Sequence, residues 1–225
     1  MVERSFYDTD SVKVAPRLLN KILARRGPAG EILVSGRIVE VEAYRGDKDA
    51  ASHAFKGETK RNAVMFGPPG KMYVYFTYGM HWCANLVCQP EGTAEAVLLR
   101  ALAPMVGLDL IRSRRGASLP ERDLMSGPAR LCQGLDITRA DDGADVVDGD
   151  LGLVVLDDGT PPPRRPGRSA RVGIRLATEF RWRWFVEGDP NVSRGRPGEP
   201  GRQAASGGQT GRQRHRPDMA TPGVR

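Results

Sequence analysis

Long apolar runs are missing from this chain. No stretch approaches the ~18 uninterrupted hydrophobic residues that a membrane-spanning helix needs, so none is expected. Cysteine is scarce: Cys83, Cys88 and Cys132 are odd in number and form no C-x-x-C pair. They read as reduced, buried thiols, which excludes a disulfide framework and points to a cytoplasmic protein. Histidine is as rare, and His53, His81 and His215 are too dispersed to build a zinc site with those cysteines. No metal and no cofactor is expected. The first residues carry acids and no apolar core, so no secretion signal is expected either. Gly67-Pro68-Pro69-Gly70-Lys71 lacks both the spacing of a P-loop and the Ser or Thr after the lysine, and there is no G-x-S-x-G elbow.

What the chain has in excess is positive charge. Its 225 residues, enough for one domain with a real core or two small ones, carry 34 Lys and Arg against 27 Asp and Glu, a net +7. That balance favours an anionic partner, nucleic acid or a membrane surface, without choosing between them. The charge is uneven. Residues 194–225 hold seven arginines against Glu199 and Asp218, with seven glycines and four prolines, so the remaining 193 residues carry only about +2. Such a tail buries too little to offset the entropy of ordering, and disorder is expected from 194 on, with one domain over 1–193.

Within that domain a helix is expected to start near Pro16, with Leu18, Leu19, Ile22 and Leu23 as its apolar face and Gly27 as its stop. In the run 38–44, Val39, Val41 and Ala43 share one strand face and Glu40, Glu42 and Tyr44 the other. The polar stretch 45–70 is too long for an idle connection. Further strands are expected at 72–78, 82–88, 94–102, 151–156, 172–176 and 182–186, with a tight turn at Tyr78-Gly79-Met80-His81, and helices at 104–115 and 128–135. The triple proline in 157–168 marks a loop. No repeat is visible, and the order of elements argues for a single mixed α+β domain.

Several residues stand out chemically. Glu42 reads as a general base or as a solvated strand residue, and Glu40 on the same face competes with it. Arg100, inside Val97-Leu98-Leu99-Arg100-Ala101-Leu102, must be paired, either in a structural salt bridge or in a working site. Asn85 is either a buried hydrogen-bond hub or a reader of a ligand edge. Tyr44, Tyr73, Tyr75 and Tyr78 are four of only five tyrosines, suited to stacking on bases and equally to packing a core. His53 falls in the long polar loop, where a core role is disfavoured.

Together these residues resemble the alkyladenine (3-methyladenine) DNA glycosylase family. The densest block is Gly36-Arg37-Ile38-Val39-Glu40-Val41-Glu42-Ala43-Tyr44, followed by Gly46, Asp49, Ala51, His53, Thr59, Arg61, Asn62, Met65 and Phe66. Tyr73-Val74-Tyr75, Tyr78-Gly79-Met80, Asn85, Val97 to Ala101, Ser126-Gly127-Pro128 with Leu131, and Arg171-Val172-Gly173-Ile174 complete it. Lys60 departs from the family's usual Pro, and Thr77 from a commonly apolar residue.

The resemblance implies a curved antiparallel sheet with flanking helices and a protruding hairpin that enters DNA. It implies a monofunctional base-excision glycosylase acting, as a monomer by default, on damaged purines in double-stranded DNA. By the same resemblance Glu42 activates a water, held by Arg100 and the Val172 carbonyl. Tyr44, Ala51, His53 and Tyr75 wall the base pocket, Asn85 screens out normal guanine, and Tyr78 with Met80 inserts into the duplex. The competing expectation is a non-catalytic nucleic-acid-binding protein on the same scaffold, or a related hydrolase dedicated to hypoxanthine or ethenoadenine.

Overall fold

A computed structural model describes residues 1–195; the arginine-rich segment expected to be disordered lies almost wholly outside them. The element order is α1 (Ser11–Leu18), β1 (Ile22–Arg26), β2 (Ile32–Tyr44), β3 (Met72–Thr77), β4 (His81–Cys88), β5 (Glu95–Val106), α2 (Leu108–Arg115), α3 (Glu121–Leu124), α4 (Pro128–Leu135), β6 (Leu153–Leu156), β7 (Gly167–Ser169) and β8 (Arg183–Phe185). All the strands join one sheet, every pairing is antiparallel, and the sheet curls into a half-barrel. The spine is β2. Along one edge it pairs with β5, and along the other first with β1 and then with β8.

The expected α1 is displaced. Asp10 caps the helix, accepting from the Val12 amide at 2.8 Å, so it begins before Pro16 rather than at it. It ends at Leu18, and Asn20 takes a left-handed φ of 69°. Ile22 and Leu23 are therefore not on a helix face. They lie on β1, where Ile22 pairs with Arg37 on one side and Leu156 on the other. Helical periodicity misleads here because α1 and β1 are both short and both buried. Two further boundaries move for the same kind of reason. The strand expected to end at Leu102 runs to Val106, so the next helix starts at Leu108, not Pro104. The strand expected at 172–176 is absent; Gly173 and Ala177 there have φ of 77° and 51°, which breaks any pleat.

The pairing of β2 with β5 is irregular at two places, at Ser35/Gly36 and around Glu40, and the second bears on the site. Ile38 faces Leu102 and Val41 faces Leu99, but Glu40 pairs with Ala101. Across this paired irregularity Ile38 and Leu102 join the main core on one side, and Val41, Ala43, Val97 and Leu99 join it on the other. Val39, expected to share that face, is buried outside the main core cluster. Glu40, Glu42, Leu98 and Arg100 are left on the opposite face, where the pocket forms.

Candidate active site

That face is one wall of a cavity of about 520 Å³. Ala96, Leu98 and Arg100 reach it from β5, Tyr75, Cys83 and Asn85 from β3 and β4, and Ala51 and His53 from the long loop after β2. The turn Val172 to Leu176 closes the remaining side. The loop is placed by Gly46, whose φ is +57° and where a Cβ would sit 2.7 Å from the Ala94 carbonyl oxygen.

Glu42 is fully buried just behind this cavity, not on its wall. Its Oε1 accepts the Val172 amide at 2.7 Å and lies 3.2 Å from Nη1 of Arg100; its Oε2 accepts the Tyr44 hydroxyl at 3.0 Å. All three partners line the cavity, so Glu42 touches it through them. Val172 makes this contact by its N–H. Glu40 is occupied differently. One oxygen takes Nε of both Arg100 and Arg183 at 2.7 Å and the Ser193 hydroxyl at 2.9 Å; the other takes the Ser193 amide at 2.6 Å. Burial pushes this carboxyl up, but Arg100 and then Arg183 override it and hold Glu40 below the usual carboxylate range. Burial likewise works against the Arg100 cation, and the two glutamates more than compensate, keeping it charged. The pair of roles that competed in the sequence is thus separated by partners: Glu40 holds Arg100, and Arg100 bridges to Glu42.

The aromatic walls are themselves supported. Burial, and next the charge of Glu42, raise the Tyr44 phenol well above its ordinary value, so it remains a donor to that carboxylate. Behind Tyr44 sits Arg171, fully buried, with its guanidinium 4.6 Å from the Tyr44 ring centre and 5.2 Å from that of Trp182. Asp49, also fully buried, pairs with Arg171 through both carboxylate oxygens, and the Ala43 carbonyl accepts a further bond at 2.9 Å. Tyr73 and Tyr75 stack with centroids 5.5 Å apart, and His53 meets Tyr75 edge to face at 4.4 Å. Tyr73 is buried, and its hydroxyl lies 3.1 Å from Nδ1 of His53.

Partial burial, and then the Arg61 charge, lower the His53 pKa below the usual histidine value, so the neutral ring prevails at neutral pH. An NMR titration of His53 is therefore expected to have its midpoint below about 6.5, and Arg61→Gln should move that midpoint upward, since removing a positive charge eases protonation. No movement would remove Arg61 as a cause. Asn85 donates from Nδ2 to the Tyr73 carbonyl at 3.1 Å and lines the cavity. Burial lifts the Cys83 thiol to about 11, leaving it protonated in the wall.

At the mouth, Tyr78 and Gly79 both have positive φ, 52° and 68°, within the three-residue loop 78–80 that joins the paired Thr77 and His81 and closes the hairpin. Tyr78 is 63% exposed and Met80 56%, values unusual for such side chains in a protein whose other aromatics are mostly covered. Sequence reasoning assigns no role to Asp49, Arg171, Trp182, Arg183 or Ser193, and leaves Tyr73 between base stacking and core packing. Two of these, Asp49 and Arg171, stand in the motifs quoted above, and a buried-charge argument could have flagged them; their partnership spans 122 residues and has no signature in spacing.

Fold and cavity together define a class: a one-domain protein with an aromatic-walled pocket, backed by a buried cluster of acids and arginines. The family model described as methylpurine-DNA glycosylase (MPG) matches residues 5–190. The chain belongs to that family, whose members are monofunctional DNA N-glycosylases of DNA repair. Among its relatives, a protein of Burkholderia lata named as a candidate 3-methyladenine DNA glycosylase is 50% identical over 193 residues, 86% of this chain and 91% of that one. Proteins of the same designation from Streptomyces avermitilis and Chlorobaculum tepidum are 46% and 44% identical, covering 89% and 90% of this chain and 94% and 95% of theirs. Among the described residues no helix is long and apolar enough to cross a membrane.

Proposed function

We propose that this chain draws damaged purines out of duplex DNA and hydrolyses the N-glycosidic bond with a water deprotonated by Glu42, leaving an abasic site. The observation that carries this is the buried Glu42, bonded to three residues of one cavity wall, Tyr44, Arg100 and Val172. A stacked base cannot be attacked at C1′, so extrusion comes first and costs a few kcal/mol, least for a damaged, poorly paired base. Tyr78, at the tip of the β3–β4 hairpin with Met80 beside it, fills the gap left behind and returns part of that cost.

Tyr44 and Tyr75 then stack on the extruded base, with Ala51 and His53 against it. A purine alkylated at N3 or N7 is cationic, and contact with aromatic faces is worth about 0.5–2 kcal/mol. Asn85, fixed by Tyr73, screens the exocyclic amine of normal guanine. In the chemical step the bond from C1′ to the base nitrogen breaks, its electron pair leaving with the base and discharging the cation. The water oxygen bonds C1′, and its proton passes to Glu42. Arg100 and the Val172 carbonyl hold that water. No amine nucleophile is involved, so no lyase step follows.

The substrates are 3-methyladenine and 7-methylguanine, with hypoxanthine and 1,N6-ethenoadenine as neutral tests of the same pocket. Duplexes carrying either cationic lesion, treated with the protein and then with alkali, should be cleaved at the lesion; cleavage at the neutral lesions as well would mean that the departing base also takes up a proton. Borohydride should trap no covalent adduct, and an adduct would end the monofunctional mechanism. Tyr78→Ala is expected to weaken duplex affinity and slow extrusion by about tenfold, a loss of roughly 1.4 kcal/mol, while leaving the order of preference among lesions unchanged. Duplex binding without any base release would favour the non-catalytic binding protein instead.

A further inference from the structure

On the far side of Arg100 lies a second cavity, of about 440 Å³. Arg100 lines both, and the consecutive residues Gly127 and Pro128 divide them, Gly127 facing the second and Pro128 the first. Its described walls bring together Arg100, Arg115, Arg130 and Arg194 with one carboxylate, Asp123. Arg115 is held in place by bonds from Nε to the Leu124 carbonyl at 2.8 Å and from Nη1 to the Gln133 side chain, and Arg130 lies 3.6 Å from Asp123. Burial and the nearby Arg130 charge both work against the Arg115 cation, so the two are close enough to repel.

The N-terminus of α4 opens at the same place. Its N-cap is Gly127, which offers no side-chain cap, so first-turn amides add their positive dipole end. The Ser193 hydroxyl and amide are tied to Glu40, and Gly195 packs so tightly on Val172 that a Cβ would lie 2.7 Å from its Cγ1. Arg194, between these anchors, is therefore delivered to the cavity by a fixed piece of chain.

We propose that this cavity is a phosphate site and takes one phosphodiester of the strand that carries the extruded nucleotide. Like charges packed around one cavity are costly until an anion occupies it. A base seated in the first cavity brings its own flanking phosphates to within a nucleotide's reach of the second, only one residue away. Arg100 then has anions on both sides, the buried glutamates on one and the DNA backbone on the other, which ties strand docking to the placement of the residue that bridges to Glu42.

The inference rests on the DNA reading above, and binding separates the two without any catalysis. The probe is a duplex with a stable abasic-site analogue, and the protein is the full chain as wild type and as Arg130→Gln/Arg194→Gln. The double variant is expected to bind about tenfold more weakly at low salt. Its log-affinity against log-salt slope should be shallower by about 0.9, the share of one phosphate that is no longer neutralised. Arg130→Lys/Arg194→Lys should restore that slope. Replacing the phosphates one at a time by neutral methylphosphonate should weaken wild type at one flanking position and do nothing further to the double variant there. Wild-type affinity and slope in the double variant, or additive losses at every position, would overturn the proposal. So would additive losses with a melting temperature of wild type alone raised by inorganic phosphate, since the site would then take a free anion. A wild-type protein that fails to bind the duplex would sink the DNA reading itself.

Discussion

Glu42→Gln is expected to slow base release in a single turnover by about 10²–10⁴-fold while duplex affinity and melting temperature stay near those of wild type. The substitution removes the proton acceptor and keeps the shape. Glutamine still accepts the Val172 amide, and Arg100 still has Glu40 at 2.7 Å, so no guanidinium is left buried without a carboxylate. A loss of rate therefore cannot be charged to collapse of the wall, and an unchanged melting temperature checks it. Equal release by both proteins would take Glu42 out of the mechanism. Glu40→Gln should behave otherwise, lowering stability as well as rate, because it strips a shared carboxylate from Arg100 and Arg183 together.

The second large effect is on stability. Arg171→Met leaves Asp49 buried with no cation, and is expected to cost about 3–5 kcal/mol in urea denaturation. Asp49→Leu in the Arg171→Met background should recover much of that loss, since removing both charges of a buried pair is far cheaper than removing one. A single variant as stable as wild type would mean that Asp49 finds water or another donor. The pair also matters to the pocket: the Arg171 guanidinium rests on the Tyr44 ring, and the Ala43 carbonyl that it binds lies one residue from Tyr44 and Glu42 alike.

Much of this site is readable from sequence because it is carried by short, dense runs. Glu42, Tyr44, Ala51, His53, Tyr75, Asn85, Tyr78, Met80, Arg100 and Val172 come from five segments, and the structure puts Tyr44, Ala51, His53, Tyr75, Asn85, Arg100 and Val172 around one cavity, with Tyr78 at its rim. The aromatic and β-branched run of β3, the largely apolar run of β4 and the well-marked pattern of α4 are legible for the same local reason. Where the expectation fails, the local signal is ambiguous. Leu18 to Leu23 is apolar enough for a helix or a strand, and only pairing with β2 and β6 decides for β1. The run after Arg171 looks β-like, yet Gly173 and Ala177 turn it.

The amino-acid sequence by itself determined the family, the mixed α+β class and the residue types at the pocket, because all three are carried by short, dense runs. It also determined that most of the +7 charge lies beyond residue 193. Only the tertiary structure decided which glutamate bonds to the residues that line the pocket and which anchors the arginines. Both lie on one strand, two residues apart, and their difference is made by Val172, Arg183 and Ser193, more than 125 residues away along the chain. The same holds for Asp49 with Arg171, and for the four arginines around the second cavity. A buried charge is tolerable only with its partner in place, and which partner arrives is settled by how the sheet curls, not by anything local to the charge.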